Sequence, residues 1–93
     1  MLFETGDIYI CRVCPDTESI HFEWLDTGDA EYEIYYRRRD NGVYEKAGAT
    51  SGNEFDITGL VEDREYEFYV QAGEKKSRVR IARCGEPIGT VVN

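Results

Sequence analysis

Few side chains in this 93-residue chain could act chemically on something else. They are a Cys11-x-x-Cys14 pair with a distant Cys84, a single histidine at His21, the basic run Arg37-Arg38-Arg39, and many carboxylates. A Cys-x-x-Cys pair supports redox exchange where it opens a helix whose N-terminus depresses a thiol pKa. It binds zinc when a second pair or two histidines complete the ligand set. Neither condition is met, because the pair lies along the apolar stretch Ile8 to Val13, which reads as a strand, and the chain has only one histidine. Three cysteines are an odd number, so at most one bridge can close within the chain. Ordinary thiols are the plain expectation, with a bridge to Cys84 as the alternative. His21 alternates outward from a core-facing strand with no Cys or carboxylate partner evident at ligand spacing, and so reads as solvent-facing. No nucleophile with its base and no phosphate-cradling glycine loop is visible. The expectation is therefore no catalytic residue, no metal and no cofactor.

The charge balance narrows the partners. Nineteen acidic residues face eleven basic ones, for a formal net charge of -8. Such a surface repels phosphate backbones, and nucleic-acid binding by counterion release needs a basic face. The one basic run is short and reads as a solvated strand end. No apolar run approaches the roughly 20 residues of a membrane span, and Glu4 and Asp7 stand where a signal peptide carries positive charge. Neither nucleic acid nor membrane is expected as a partner. The length suits one domain with a single core.

The elements that would position these side chains are strands. Leu60 to Ala72 alternates Tyr66, Phe68, Val70 and Ala72 against Glu65, Glu67, Tyr69 and Gln71 behind a turn. That period of two marks a strand buried on one face and wet on the other. Ser19 to Leu25 sets Ile20, Phe22 and Trp24 against His21 and Glu23. Glu31 to Arg38 sets Tyr32, Ile34 and Tyr36 against Glu33, Tyr35 and Arg37, and Asp40-Asn41-Gly42 closes it with a hairpin signal. Asp7 to Cys14, a weaker Val43 to Ala49, Asn53 to Ile57 and Ser77 to Arg83 complete the set, the last with Val79 and Ile81 facing inward. No stretch keeps a helical period. Seven short strands at intervals of about a dozen residues predict an all-β, antiparallel, immunoglobulin-like sandwich.

Trp24, the Tyr32-x-Ile34-x-Tyr36 pattern, and Leu60 followed by Tyr66, Val70 and Ala72 together resemble the fibronectin type III domain over about residues 7 to 84. The resemblance implies that Trp24 is the central core aromatic and that Tyr66 forms a tyrosine corner, its hydroxyl bonding backbone near Leu60. Tyr32, Ile34, Phe68, Val70, Val79 and Ile81 would fill the core from one sheet, and Ile20, Phe22, Phe55 and Ile57 from the other. Glu62 and Arg64 depart from the Pro and Thr that many members carry, which puts the rigidity of the corner in doubt. No Arg-Gly-Asp adhesion motif occurs. Residues 1–84 would be the domain, and 85–93 a linker or the start of a following domain.

By the same resemblance the outer face of the larger sheet carries Tyr35, Arg37, Tyr44, Lys46, Glu67, Tyr69, Arg78 and Arg80. Two readings stand. Exposed tyrosines among charges can stack on sugars or anchor a partner protein. Alternatively they form a cross-strand ladder, with Val70 opposite Val79 and Tyr69 opposite Arg80. The function implied is a non-catalytic module, a spacer or interaction domain of a larger protein such as a bacterial carbohydrate-active enzyme. The alternative is a carbohydrate- or protein-binding module using that face. The partners implied are neighbouring domains of the parent and a protein or carbohydrate ligand, with a monomer expected for the isolated domain. Location follows the parent: secreted or at the cell surface within a bacterial multidomain enzyme, cytoplasmic if the chain is complete.

Overall fold

The alternating segments pair edge to edge as antiparallel strands, and their apolar faces meet between two sheets. The structure is a computed structural model describing residues 7–39 and 41–85. The linker expectation beyond Gly85 and the Asp40 position of the predicted hairpin turn fall outside the described residues. The strands are β1 (Ile10–Pro15), β2 (Ile20–Trp24), β3 (Tyr32–Arg38), β4 (Asn41–Thr50), β5 (Glu54–Ile57), β6 (Glu65–Ala72), β7 (Lys75–Lys76) and β8 (Arg80–Arg83). One sheet runs β1-β2-β5; the other runs β4-β3-β6, with both β7 and β8 pairing β6. Arg38 pairs Asn41, so a hairpin joins β3 and β4, but Asn41 and Gly42 lie on β4 rather than in its turn as expected.

The sheets close on an aromatic centre. Trp24, Phe22, Phe68, Tyr32, Ile20, Ile34 and Val70 are fully buried. The Trp24 ring lies 5.6 Å from Phe22 and 5.3 Å from Tyr32, the latter edge-on, and Phe22 lies 4.6 Å from Phe68 in the opposite sheet. Tyr36, half-buried, packs against this core with its ring 6.3 Å from Tyr66. The corner expected at Tyr66 is present: the Val61 N–H donates to the Tyr66 hydroxyl at 2.9 Å, beside buried Leu60. It forms despite Glu62 and Arg64, since Asp63 takes the left-handed conformation at φ 68° and its N–H donates to the Cys84 carbonyl at 3.0 Å.

A second tyrosine fastens a loop. The Tyr32 hydroxyl donates to Asp26 at 2.8 Å and accepts from the Thr27 N–H at 2.9 Å, tying the β2–β3 connection to the core.

The last strand departs from expectation. It is split into β7 and β8 by Ser77, whose N–H donates to the Val70 carbonyl and whose Oγ accepts from the Val70 N–H. Ser77 also bridges in parallel to Ile8 of the other sheet's leading segment. Gln71 pairs Lys76, but Phe68 pairs Arg80, so one extra residue is inserted between them. An inserted residue reverses which side chains face in. Val79 and Ile81, expected in the core, are 47% and 48% exposed, while Ala82 and Cys84 fill the inner positions at 8% and 0%. The expected opposition of Val70 to Val79 and of Tyr69 to Arg80 does not occur. A similar slip in β1, between Ile10 and Arg12, leaves Cys11 exposed and Val13 packed on the core. All three cysteines are free thiols.

Candidate functional site

Strict alternation along β3 and β6, in register, builds one outer face. Tyr35 pairs Tyr69 and Arg37 pairs Glu67. The Tyr35 and Tyr69 rings stack at 5.4 Å with planes 23° apart. Tyr44 reaches in from β4 and meets Tyr69 edge-on at 5.1 Å. Cations cap the cluster: the Arg37 guanidinium sits 4.9 Å from the Tyr44 ring centre, and the Lys76 ammonium 5.0 Å from that of Tyr69.

The polar ends of these side chains bond to one another. The Tyr35 hydroxyl donates to Glu33 at 2.9 Å, and Lys46 donates to the other oxygen of Glu33 at 3.4 Å. Glu67, half-buried, accepts from Arg37 at 2.9 Å and from the Tyr44 hydroxyl at 3.0 Å. Tyr35 has its pKa raised by the Glu33 hydrogen bond and then by burial; Tyr44 has its raised by burial and then by Glu67. Both hydroxyls therefore stay protonated and donating at neutral pH. Of the basic run, Arg37 is taken up by Glu67, and Arg39 bonds Glu65 at 3.2 Å.

Burial alone would raise the Glu67 pKa, but the hydrogen bonds from Arg37 and Tyr44 outweigh it and hold the carboxyl below the ordinary glutamate range. A pKa depressed by folding gives stability that is complete above the unfolded value of about 4.3 and lost as pH falls through the folded value. Glu67→Gln should therefore lower stability at pH 7 and flatten its decline below about pH 4.3. Urea denaturation across a pH series reads this directly; an unchanged acid limb would show that the pairing contributes nothing.

Two expected members leave the face. Arg80, opposite Phe68 rather than Tyr69, turns toward the sandwich edge and donates to the Ile10 carbonyl of β1 at 2.8 Å. Arg78 is exposed and lines a groove of about 430 Å³ between the β1 and β8 edges, together with Tyr9, Val79 and Ile81. The cause is again the residue inserted after Ser77. Lys76 of β7 takes the position over Tyr69.

His21 is not the isolated side chain that its neighbours in sequence suggest. Strand β5 pairs β2 so that His21 faces Asp56 and Glu23 faces Glu54. His21 Nδ1 lies 2.6 Å from Asp56, while Nε2 lies 3.1 Å from Glu23 and 3.5 Å from Glu54. The Glu23 hydrogen bond leads in raising the His21 pKa, against burial and with help from Asp56. Alternation gives the outward direction of His21 and Glu23; only the β2–β5 register, which is non-local, brings Glu54 and Asp56 opposite them.

Two antiparallel sheets face to face, a buried tryptophan on β2 and a tyrosine corner before β6 define an immunoglobulin-like sandwich. A family model, Fibronectin type III domain, matches residues 11–82, and the chain belongs to that family. Among solved structures it is similar to the FN5 domain of Drosophila Lar, at 22% identity and a TM-score of 0.73, over 87% of this chain and 97% of that one. It is also similar to a fibronectin type III domain derived from the human KIAA0970 protein, at 13% identity and TM-score 0.71, over 95% and 85% of the two chains. A third is the sensor domain of the anti-sigma factor RsgI4 in Pseudobacteroides cellulosolvens, at 15% identity and TM-score 0.68, over 94% and 82%. At these identities the likeness is one of fold. Comparison with curated proteins gives no match.

Proposed function

We propose that this domain is a non-catalytic spacer of a larger protein and that its tyrosine face serves its own stability. The observation that supports this reading is the internal pairing of the face. Tyr35, Tyr44, Arg37 and Lys46 direct their polar groups to Glu33 and Glu67, and Tyr69 is covered by Tyr35, Tyr44 and Lys76. A surface built to grip a ligand keeps donors and ring faces turned outward. For the parent we propose a bacterial carbohydrate-active enzyme, an expectation carried by the family resemblance; a polysaccharide-degrading catalytic domain in the same open reading frame would support it.

The second reading, a carbohydrate- or protein-binding module, draws on one observation. The contacting rings of Tyr35, Tyr44 and Tyr69 are held in fixed orientation, which lowers the entropy cost of stacking on a ligand. Titration with soluble polysaccharides separates the readings. The spacer predicts no saturable binding, whereas saturable binding lost in Tyr35→Ala and Tyr69→Ala would establish the module as a binder.

A further inference from the structure

The face of the smaller sheet opposite the core holds a second constellation. His21 and Glu23 project from β2, and Glu54 and Asp56 from β5, as two directly facing pairs. A carboxylate accepts hydrogen bonds and cannot donate, so the 2.6 Å contact of Nδ1 with Asp56 keeps a proton on Nδ1. Nε2 points between Glu23 and Glu54, where its own proton bonds to Glu23 at 3.1 Å; a cation that displaces this proton meets the Nε2 lone pair there. One imidazole nitrogen and one oxygen from each glutamate lie within 4.8 Å of one another.

We propose that His21, Glu23 and Glu54 form a surface site for a divalent transition-metal ion of the Zn2+ class, with Asp56 as the outer carboxylate that orients the imidazole. The distances suit such an ion. Tetrahedral coordination with bonds of about 2.0–2.2 Å sets donors about 3.3–3.6 Å apart. The Nε2 to Glu23 and Nε2 to Glu54 separations of 3.1 and 3.5 Å lie close to that spacing. The donor chemistry selects the class, because an imidazole favours Zn2+ and its neighbours in the series, while Mg2+ and Ca2+ prefer all-oxygen shells. A hydrogen bond from the distal ring nitrogen to a carboxylate fixes the tautomer and strengthens the ligand, which is the role Asp56 takes. Three protein ligands leave a fourth position for water. The site is open: the His21 side chain is 31% exposed and Glu54 63%, so an ion can enter without rearrangement of the sheet. Cys14 pairs His21 on the β1 side, yet its sulfur accepts from Arg12 at 3.4 Å and stands outside the donor group.

The test is isothermal titration of the tag-free 93-residue chain with ZnCl2 at pH 7 in a non-coordinating buffer. One saturable site is expected in the wild type, lost in His21→Ala and weakened about 10–100-fold in Asp56→Asn. A Cys11→Ser/Cys14→Ser double variant should bind as the wild type does. His21 lies outside the core, so circular dichroism will establish that its variant is folded. No saturable binding, binding that persists in folded His21→Ala, or binding lost only with the cysteines would each overturn the proposal.

Discussion

Replacing Trp24 with alanine is expected to cost about 3–5 kcal/mol, the range for removing a large aromatic from a close-packed core. Trp24 is 0% exposed and touches rings on both its own strand and β3. Domains of this size hold about 5–15 kcal/mol in total, so the variant should lose a large part of its stability. At about 4–8 °C per kcal/mol, the melting temperature should fall by tens of degrees. Urea denaturation followed by circular dichroism measures it. The indole N–H is buried with no hydrogen-bond partner among the described residues, and an unpaired buried donor is a cost. Trp24→Phe keeps a ring and removes that donor, and should therefore lose clearly less than Trp24→Ala. Equal losses would mean that ring packing is not what Trp24 contributes.

The second large effect comes from adding a single methyl group. A Cβ built on Gly48 would lie 2.7 Å from Cζ and 3.1 Å from Cε1 of Phe55. Gly48 sits on β4 opposite Ile34, and the half-buried Phe55 ring lies across it from the smaller sheet, packed toward Phe22. The ring has to move, and overpacking of this kind costs about 1–3 kcal/mol. Gly48→Ala should lose that much in urea denaturation. Phe55→Leu vacates the space the methyl needs, so its cost in the Gly48→Ala background should be smaller than in the wild type. Strict additivity of the two changes would show that the contact is not the cause.

These two residues mark where sequence reasoning succeeds and where it stops. Trp24 is legible because alternation along one strand, Ile20, Phe22, Trp24 against His21, Glu23, fixes its direction locally. Tyr66 is legible for the same reason, and its corner closes within a few residues. Gly48 lies near the end of the weaker strand expected over Val43 to Ala49, and nothing local marks that this glycine makes room for a ring of the other sheet on a strand that runs on to Thr50. The last strand fails in the same way. Its phase depends on Ser77 bonding Val70 and bridging Ile8, contacts that no local pattern encodes. Once that residue is inserted, Val79 and Ile81 turn outward and Arg80 leaves the tyrosine face. Tyr35, Arg37 and Tyr69 share one face because β3 and β6 pair without interruption across it, and Tyr44 joins them from β4.

The tyrosine face is proposed to add to the domain's stability through its stacked rings. A double-mutant cycle on Tyr35 and Tyr69 measures this: urea denaturation of the wild type, Tyr35→Ala, Tyr69→Ala and the double variant. Stacked rings in a stability ladder should give a favourable coupling of about 0.5–1.5 kcal/mol. Losses that add to within about 0.3–0.5 kcal/mol, the range of independent sites, would contradict it.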